Sequence, residues 1–398
     1  MSPCSDSPRH LRRLRKLAGR HDPAAHEDTF KESTIMRHLR ISIATVVFVL
    51  ICLGIMMIYS SSGIYAMQEL GDNLYFLKRH VFFLLVGFLG MILVMAVDYR
   101  LIQQYAKPLL LLGILLLVLV LVPSIGKASF GARRWFRIGS FTIQPSEFMK
   151  IIMLVYVADF LARKQPVIRK FWQGFVPPML ATGMVCVLIL KQPDLGTAFL
   201  IGCIVIIMIT VAGARLTHIG FLALASLPAL YLLILRVPYR LKRIIVFLDP
   251  WQDSLGAGFQ LTQSQIALGS GGLFGVGLGK SMQKLFYLPA AHTDFILSII
   301  GEEMGLAGTL LVVVLFIIFI WQGARIAKRV TNPFGYYLGT GIVAMIGLQA
   351  LINIGVSIGA LPTKGLTLPF ISYGGSALVV NMISVGLLLN ISRIQDLE

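Results

Sequence analysis

Residues 288–303 read LPAAHTDFILSIIGEE, a polar approach opened by Pro289 that runs straight into a long apolar segment. His292, Thr293 and Asp294 therefore fall where hydrocarbon gives way to water. A carboxylate at the centre of a membrane helix costs roughly 2.5–3.5 kcal/mol on insertion scales. At the rim that penalty is relieved, and Asp294 becomes a candidate general base. N-capping of the following span is the competing account of the same residue. Glu302 and Glu303 lie about two turns further in, so at least one must face protein or water rather than lipid. We assign them to structural pairing.

Outward from this stretch the chain is apolar almost throughout. Hydrophobic residues make up 57% of 398 and charged residues 13%, which excludes an ordinary soluble domain. Apolar runs of helical length, rather than short alternating segments, favour helices over an outer-membrane barrel. Ten spans are expected near 41–62, 79–97, 107–123, 146–162, 175–190, 195–213, 217–235, 295–321, 335–357 and 372–392. The expected fold is an all-α polytopic membrane protein of about ten transmembrane helices, with a large extracytoplasmic loop, 236–295, between helices 7 and 8. Residues 1–40 carry many Arg and Lys among Pro, Ser and His, with too little apolar surface to fold alone. They read as a basic, mostly disordered cytoplasmic tail, and 41–395 as the membrane domain.

An even number of spans puts both termini on one side, and basic residues identify that side. The tail, Arg163, Lys164, Arg169, Lys170, Arg325, Lys328 and Arg329 all share it, so both termini should be cytoplasmic. The opposite face also holds many cations, among them Arg134, Arg240, Arg243, Lys284 and Lys364. Outside positive charge opposes the insertion bias, and an anionic ligand on that face accounts for the whole set. The net charge of +17 comes with no nucleic-acid module, so membrane lipid is the expected general partner and nucleic acid is not.

Two motifs invite readings that fail. Lys280 and Ser281 after Gly279 imitate a phosphate-binding loop, but Phe274 stands where its first glycine belongs. The four cysteines and the scattered histidines show no metal-ligand spacing, so no zinc is assigned. The glycine run from Gly269 to Gly279 reads as a hinge beside a substrate.

Four segments are denser in polar residues than apolar packing requires. In 132–150, ARRWFRIGSFTIQPSEFMK, Ser146 can cap a helix that places Glu147 and Lys150 on one face. In 191–197, KQPDLGT, Asp194 can cap the next helix or favour its positive end. The third is the His292–Thr293–Asp294 stretch. The fourth, 358–378, IGALPTKGLTLPFISYGGSAL, sets Lys364 between breakers as a point charge suited to a phosphate oxygen, with Ser372, Tyr373, Gly374 and Gly375 beyond it. Gln349 and Asn353, one helical turn apart in the ninth span, can hydrogen-bond between helices or line a transport path.

Together, QPSEFMK, KQPDLGT, LPAAHTDFILSIIGEE and LPTKGLTLPFISYGGSAL resemble the SEDS family of bacterial cell-wall polymerases, in that order and spacing, over about residues 41–395. TKGLTLPFISYGGS resembles its cell-division branch more than its elongation branch. The resemblance implies a peptidoglycan glycosyltransferase acting on lipid II at the outer face of the cytoplasmic membrane, at the division septum. It implies a class B penicillin-binding protein and other division-complex proteins as partners. It places the essential acid on Asp294 and the motif Glu and Lys on Glu147 and Lys150. Ala290 departs from the pattern, because many relatives carry an acidic residue there.

Such a transfer needs a base for the acceptor hydroxyl and positive charge for the departing diphosphate. The residues available are Asp294 for the first and Lys364, Arg240, Arg243 and Arg134 or Lys150 for the second, with His292 and Thr293 beside the base. No cofactor is assigned. A divalent cation such as Mg2+ could share the charge, although no carboxylate cluster of ligand spacing is visible. Two other readings stay open: a lipid II flippase, and a non-catalytic scaffold for a cell-wall transpeptidase.

Overall fold

The computed structural model describes residues 23–129, 132–139, 141–235, 246–254, 256, 258–363 and 365–395. Helix α1 spans Pro23–Leu70 and α2 Tyr75–Ala96; a short α3, Tyr99–Gln104, leads into α4, Ala106–Leu119. Next come α5 (Pro145–Lys164), α6 (Val176–Lys191), α7 (Leu195–Val211), α8 (Leu216–Leu235) and the short α9 (Phe259–Ser270). The chain ends in α10 (Ile296–Arg329), α11 (Pro333–Ser357) and α12 (Gly375–Gln395). Apart from α3 and α9, these helices fall on the ten expected spans to within a few residues at most ends.

At 48 residues α1 is the main exception, because nothing between Pro23 and Leu70 breaks it. It starts inside the segment read as tail, and Met36 and Leu39 are already buried. Arg40 donates to the Ser392 carbonyl at 3.1 Å, so the turn of α1 at which its apolar part begins lies beside the end of α12. The apolar part of α1 therefore begins at the end of the bundle where α12 finishes. That end is called the tail end here, and the opposite one the far end.

Helix α12 is buried along most of its length and α2 along little of it, which makes α12 the centre of the bundle. One of its polar residues serves a neighbour's backbone. Asn390 Nδ2 donates to the carbonyls of Val94, Met95 and Val97, at 3.0, 3.0 and 2.7 Å, and so satisfies the last turn of α2.

One element lies outside the all-helical expectation. Strands β1 (Gly126–Ser129), β2 (Ala132–Ile138) and β3 (Phe141–Ile143) form an antiparallel sheet in that order between α4 and α5. Trp135, Phe136 and Ile138 give β2 side chains that favour strands, and Phe141 stacks on Phe82 of α2 with ring centroids 4.3 Å apart.

Helix α10 is interrupted at Gly305, whose φ of 67° only glycine adopts readily. A break at membrane depth frees backbone groups that lipid cannot satisfy. The glycine run supplies them. Val276 and Gly277 donate to the carbonyls of Glu302 and Glu303 at 2.9 and 3.1 Å, and the carbonyls of Gly272 and Leu273 accept from Leu306 and Ala307 at 2.9 and 3.1 Å. Side chains cannot enter this seam: a Cβ on Gly271 would lie 1.9 Å from the Gly301 oxygen, and one on Gly275 2.2 Å from that of Glu303. Read from sequence as a hinge, the segment is packed backbone to backbone against a broken helix.

Candidate active site

The segment before α10 closes on itself in a tight turn. The amides of Thr293, Asp294 and Phe295 all donate to the Ala290 carbonyl, at 3.0, 3.1 and 3.4 Å, and Ala290 takes a φ of 58°. Thr293 Oγ1 joins the same carbonyl at 3.1 Å. Asp294 is left half-buried at the far end. Its carboxylate faces the loop between α11 and α12, where a Cβ built on Gly365 would sit 3.3 Å from Oδ2. Lys364 adjoins Gly365 in sequence, and Lys364, Arg240 and Arg243 lie outside the described residues.

Two amides of α11 fix this juxtaposition. Asn353 Nδ2 donates to the carbonyls of both Asp294 and Leu366, at 2.8 and 2.7 Å, joining the two loops through one side chain. One turn away, Gln349 Nε2 donates to the Thr367 carbonyl at 2.9 Å. Its Oε1 accepts from Lys150 Nζ at 3.1 Å, and that ammonium is 2.6 Å from Glu147 Oε2. Glu147 and Lys150 thus share one face of α5 as their spacing predicts, and the face is buried against α11. The sequence alone allows Gln349 and Asn353 either an interhelical hydrogen-bonding role or a place on a transport path. Two amides in register on an apolar helix were the available signal, but the loops they bind were not visible in it.

The other candidates surround this axis. Asp194 caps α7, accepting from the Thr197 amide at 3.1 Å and its hydroxyl at 2.9 Å, and it also accepts from Gln144 Nε2 at 3.1 Å. Ser146 Oγ accepts from that same Gln144 amide at 2.9 Å. Arg134 donates to the carbonyls of Gln192 and Pro193, which commits its guanidinium to the corner before α7. Ser372 Oγ accepts from the Leu368 amide at 2.9 Å and closes a turn. Gly375 lets α12 approach α2, since a Cβ there would lie 2.5 Å from the Phe83 ring; a Cβ on Gly374 would meet Thr367 at 3.1 Å.

His292 is held among rings, with centroids 4.5 Å from Phe76, 5.8 Å from Tyr65 and 5.9 Å from Tyr373, and its carbonyl accepts from the Tyr373 amide at 2.9 Å. Burial pulls its imidazole down to about 4. At neutral pH it is an uncharged member of an aromatic wall.

Glu302 and Glu303 are both buried and both paired, as expected of them. Glu302 accepts from Ser281 Oγ and from the Met282 amide at 2.9 Å. Glu303 accepts from Ser60 Oγ at 2.7 Å and lies 2.9 Å from Lys284 Nζ. Lys284, a cation on the far face by sequence, is thereby neutralised inside the protein.

With this geometry in place, comparison with known proteins is specific. The family profile described as "Cell cycle protein", which covers FtsW, RodA and SpoVE, matches residues 40–397. The chain belongs to the FtsW/RodA/SpoVE family. This is the SEDS family that the four motifs resemble. A relative from Geobacter metallireducens, "Probable peptidoglycan glycosyltransferase FtsW", is 46% identical over 86% of this chain and 92% of its own. "Stage V sporulation protein E" of Bacillus subtilis is 45% identical over 87% and 95%. Among solved structures, a chain from "Structural coordination of polymerization and crosslinking by a peptidoglycan synthase complex" superposes with a TM-score of 0.73 at 29% identity, covering 89% of this chain and 97% of that one. The Thermus thermophilus rod shape determining protein RodA follows at 0.67 and 29%, with 89% and 96% covered. The FtsW/RodA/SpoVE fold is thus common to all of them, including the polytopic helical bundle.

Proposed function

We propose that this protein is a peptidoglycan glycosyltransferase that polymerises lipid II into glycan strands during septal wall synthesis, with Asp294 as general base. The observation that carries the assignment of the base is the position of its carboxylate, half-buried at the far end and pressed against the Gly365 loop that Gln349 and Asn353 hold in place. The named relatives supply the reaction class.

In the transfer, an acceptor sugar hydroxyl attacks the anomeric carbon of the donor. A C–O bond forms, the bond to undecaprenyl diphosphate breaks, and the hydroxyl proton passes to Asp294. A hydroxyl is far less acidic than a carboxylic acid, so proton transfer is concerted with attack, and a positioned base contributes about 10²- to 10⁴-fold. Lys364, Arg240 and Arg243 are the cations assigned to the departing diphosphate. Arg134 and Lys150 leave that role, Arg134 because its guanidinium is engaged with carbonyls and Lys150 because it is buried against Glu147 and Gln349. Among the described residues no three His, Cys, Asp or Glu side chains converge, so a magnesium ion at Asp294 would draw its other oxygens from substrate and water.

The far end is extracytoplasmic on the positive-inside argument, and both termini are cytoplasmic. A class B penicillin-binding protein is the expected partner, a reading supported by the likeness to a chain from a peptidoglycan synthase complex. The amides that favoured transport, Gln349 and Asn353, are taken up by loop carbonyls, which supports catalysis over a flippase.

The decisive variant is Asp294→Asn, purified and supplied with lipid II and the partner transpeptidase. Polymerisation should fall by at least about 10²-fold. Folding should persist, because Asn353 grips the backbone carbonyl of residue 294 and not its carboxylate. Retained polymerisation would remove Asp294 from the base role.

A further inference from the structure

A groove of about 560 Å3 runs along the outer part of α1, lined there by Met56, Tyr59, Ser60, Gly63, Ile64 and Met67 and opposite by Leu278, Gly279 and Lys284. Its wall is mostly apolar. Its polar floor is already neutral, since Lys284 pairs with Glu303 and both bond Ser60. A floor of this kind has no charge left for a free anion.

One edge of the groove leads to the base. Tyr65, which follows Ile64, has its ring centroid 5.7 Å from Phe286 and 5.8 Å from His292, two residues before Asp294. Tyr65 and Phe286 are both more than a third exposed, so they form an open aromatic sill between groove and turn. Lys280, next in sequence to the groove residue Gly279, is exposed and cationic. An apolar channel, a cation beside it and an aromatic sill of the kind sugar faces pack on offer one counterpart each to the isoprenoid, the diphosphate and the sugar of a polyprenyl-diphosphate saccharide.

We infer that this groove between α1 and residues 278–284 holds the isoprenoid chain of a lipid-linked substrate while its sugar is presented at Asp294. The inference rests on the glycosyltransferase reading for the identity of the lipid. The apolar wall contributes through the methylenes it buries.

Gly63→Leu tests it with little risk to the fold, because a Cβ there would meet only the Asn73 carbonyl, at 3.7 Å. Filling the groove should raise KM for lipid II about tenfold, the equivalent of roughly two methylenes, with kcat far less affected. In parallel, a photoreactive benzoylphenylalanine at position 67 should crosslink lipid II in vesicles. Excess polyprenyl diphosphate should compete that crosslink, and the same excess of phosphatidylglycerol should not. An unchanged KM in a folded Gly63→Leu protein, or equal competition by phosphatidylglycerol, would overturn the assignment. If the wild-type protein crosslinks lipid II competitively but does not polymerise it, the groove stands and the catalytic reading fails.

Discussion

Two buried ion pairs in this molecule look alike in chemistry and differ in origin. Glu147 and Lys150 sit three residues apart on α5, while Lys284 and Glu303 come from a loop and a helix nineteen residues apart. Both are nearly sealed from solvent, and each reaches a third element, Gln349 on α11 for the first and Ser60 on α1 for the second. The first pair tensions the loop that faces Asp294, whereas the second anchors the segment leading to it. Charge in a membrane helix is thus used in both places to position backbone that has no regular structure of its own.

Breaking either pair from one side separates these roles. Lys150→Ala and Lys284→Ala should each lower unfolding free energy by roughly 3–5 kcal/mol, because each leaves a buried carboxylate unpaired. Removing both charges should recover much of that loss, as in Glu147→Gln with Lys150→Met. Thermal unfolding read beside polymerisation then sharpens the comparison. The double variant should fold yet remain impaired, since the Gln349 acceptor has lost its donor, and full activity would make the α5 pair merely structural.

A smaller effect is expected at Asn353. Asn353→Ala strands two loop carbonyls and should cost about 1–3 kcal/mol. Polymerisation should fall further than stability does, because the bond lost is the one that sets residue 294 against Leu366. Equal losses would mean that Asn353 only stabilises.

The smallest effect is a pH dependence at His292. Its folded pKa, about 4, lies below the ordinary 6.5, so between those values the unfolded chain binds more protons and stability rises with pH. From pH 7 to 5.5 the wild-type protein should lose about 1 kcal/mol on this account. His292→Phe, which keeps the ring contacts, should flatten the profile; an unchanged slope would place the titration elsewhere.

These cases also show what the sequence made legible. Spans, the Glu147–Lys150 face and the Asp194 cap depend on local periodicity, which a string of residues displays directly. The partner of Lys284, the loops under Gln349 and Asn353 and the seam at Gly305 depend on segments that meet only after folding. The glycine run illustrates the gap. Its composition announced unusual backbone, but only the break in α10 explains why that backbone was needed. The sheet is not legible because ARRWFRI, with two arginines and then two aromatic residues side by side, lacks the alternation that marks a strand.

Helix α5 carries Glu147, Lys150, Asp159, Arg163 and Lys164 within twenty residues, whereas its neighbour α4, AKPLLLLGILLLVL, is almost pure aliphatic. The two touch where Gly113 of α4 abuts Met149. A segment so charged partitions poorly into lipid by itself during biosynthesis. Packed as a hairpin with the strands β1–β3 at its bend, the two helices divide the work: α4 meets the lipid, and Glu147, Lys150 and Asp159 of α5 are kept inside the bundle.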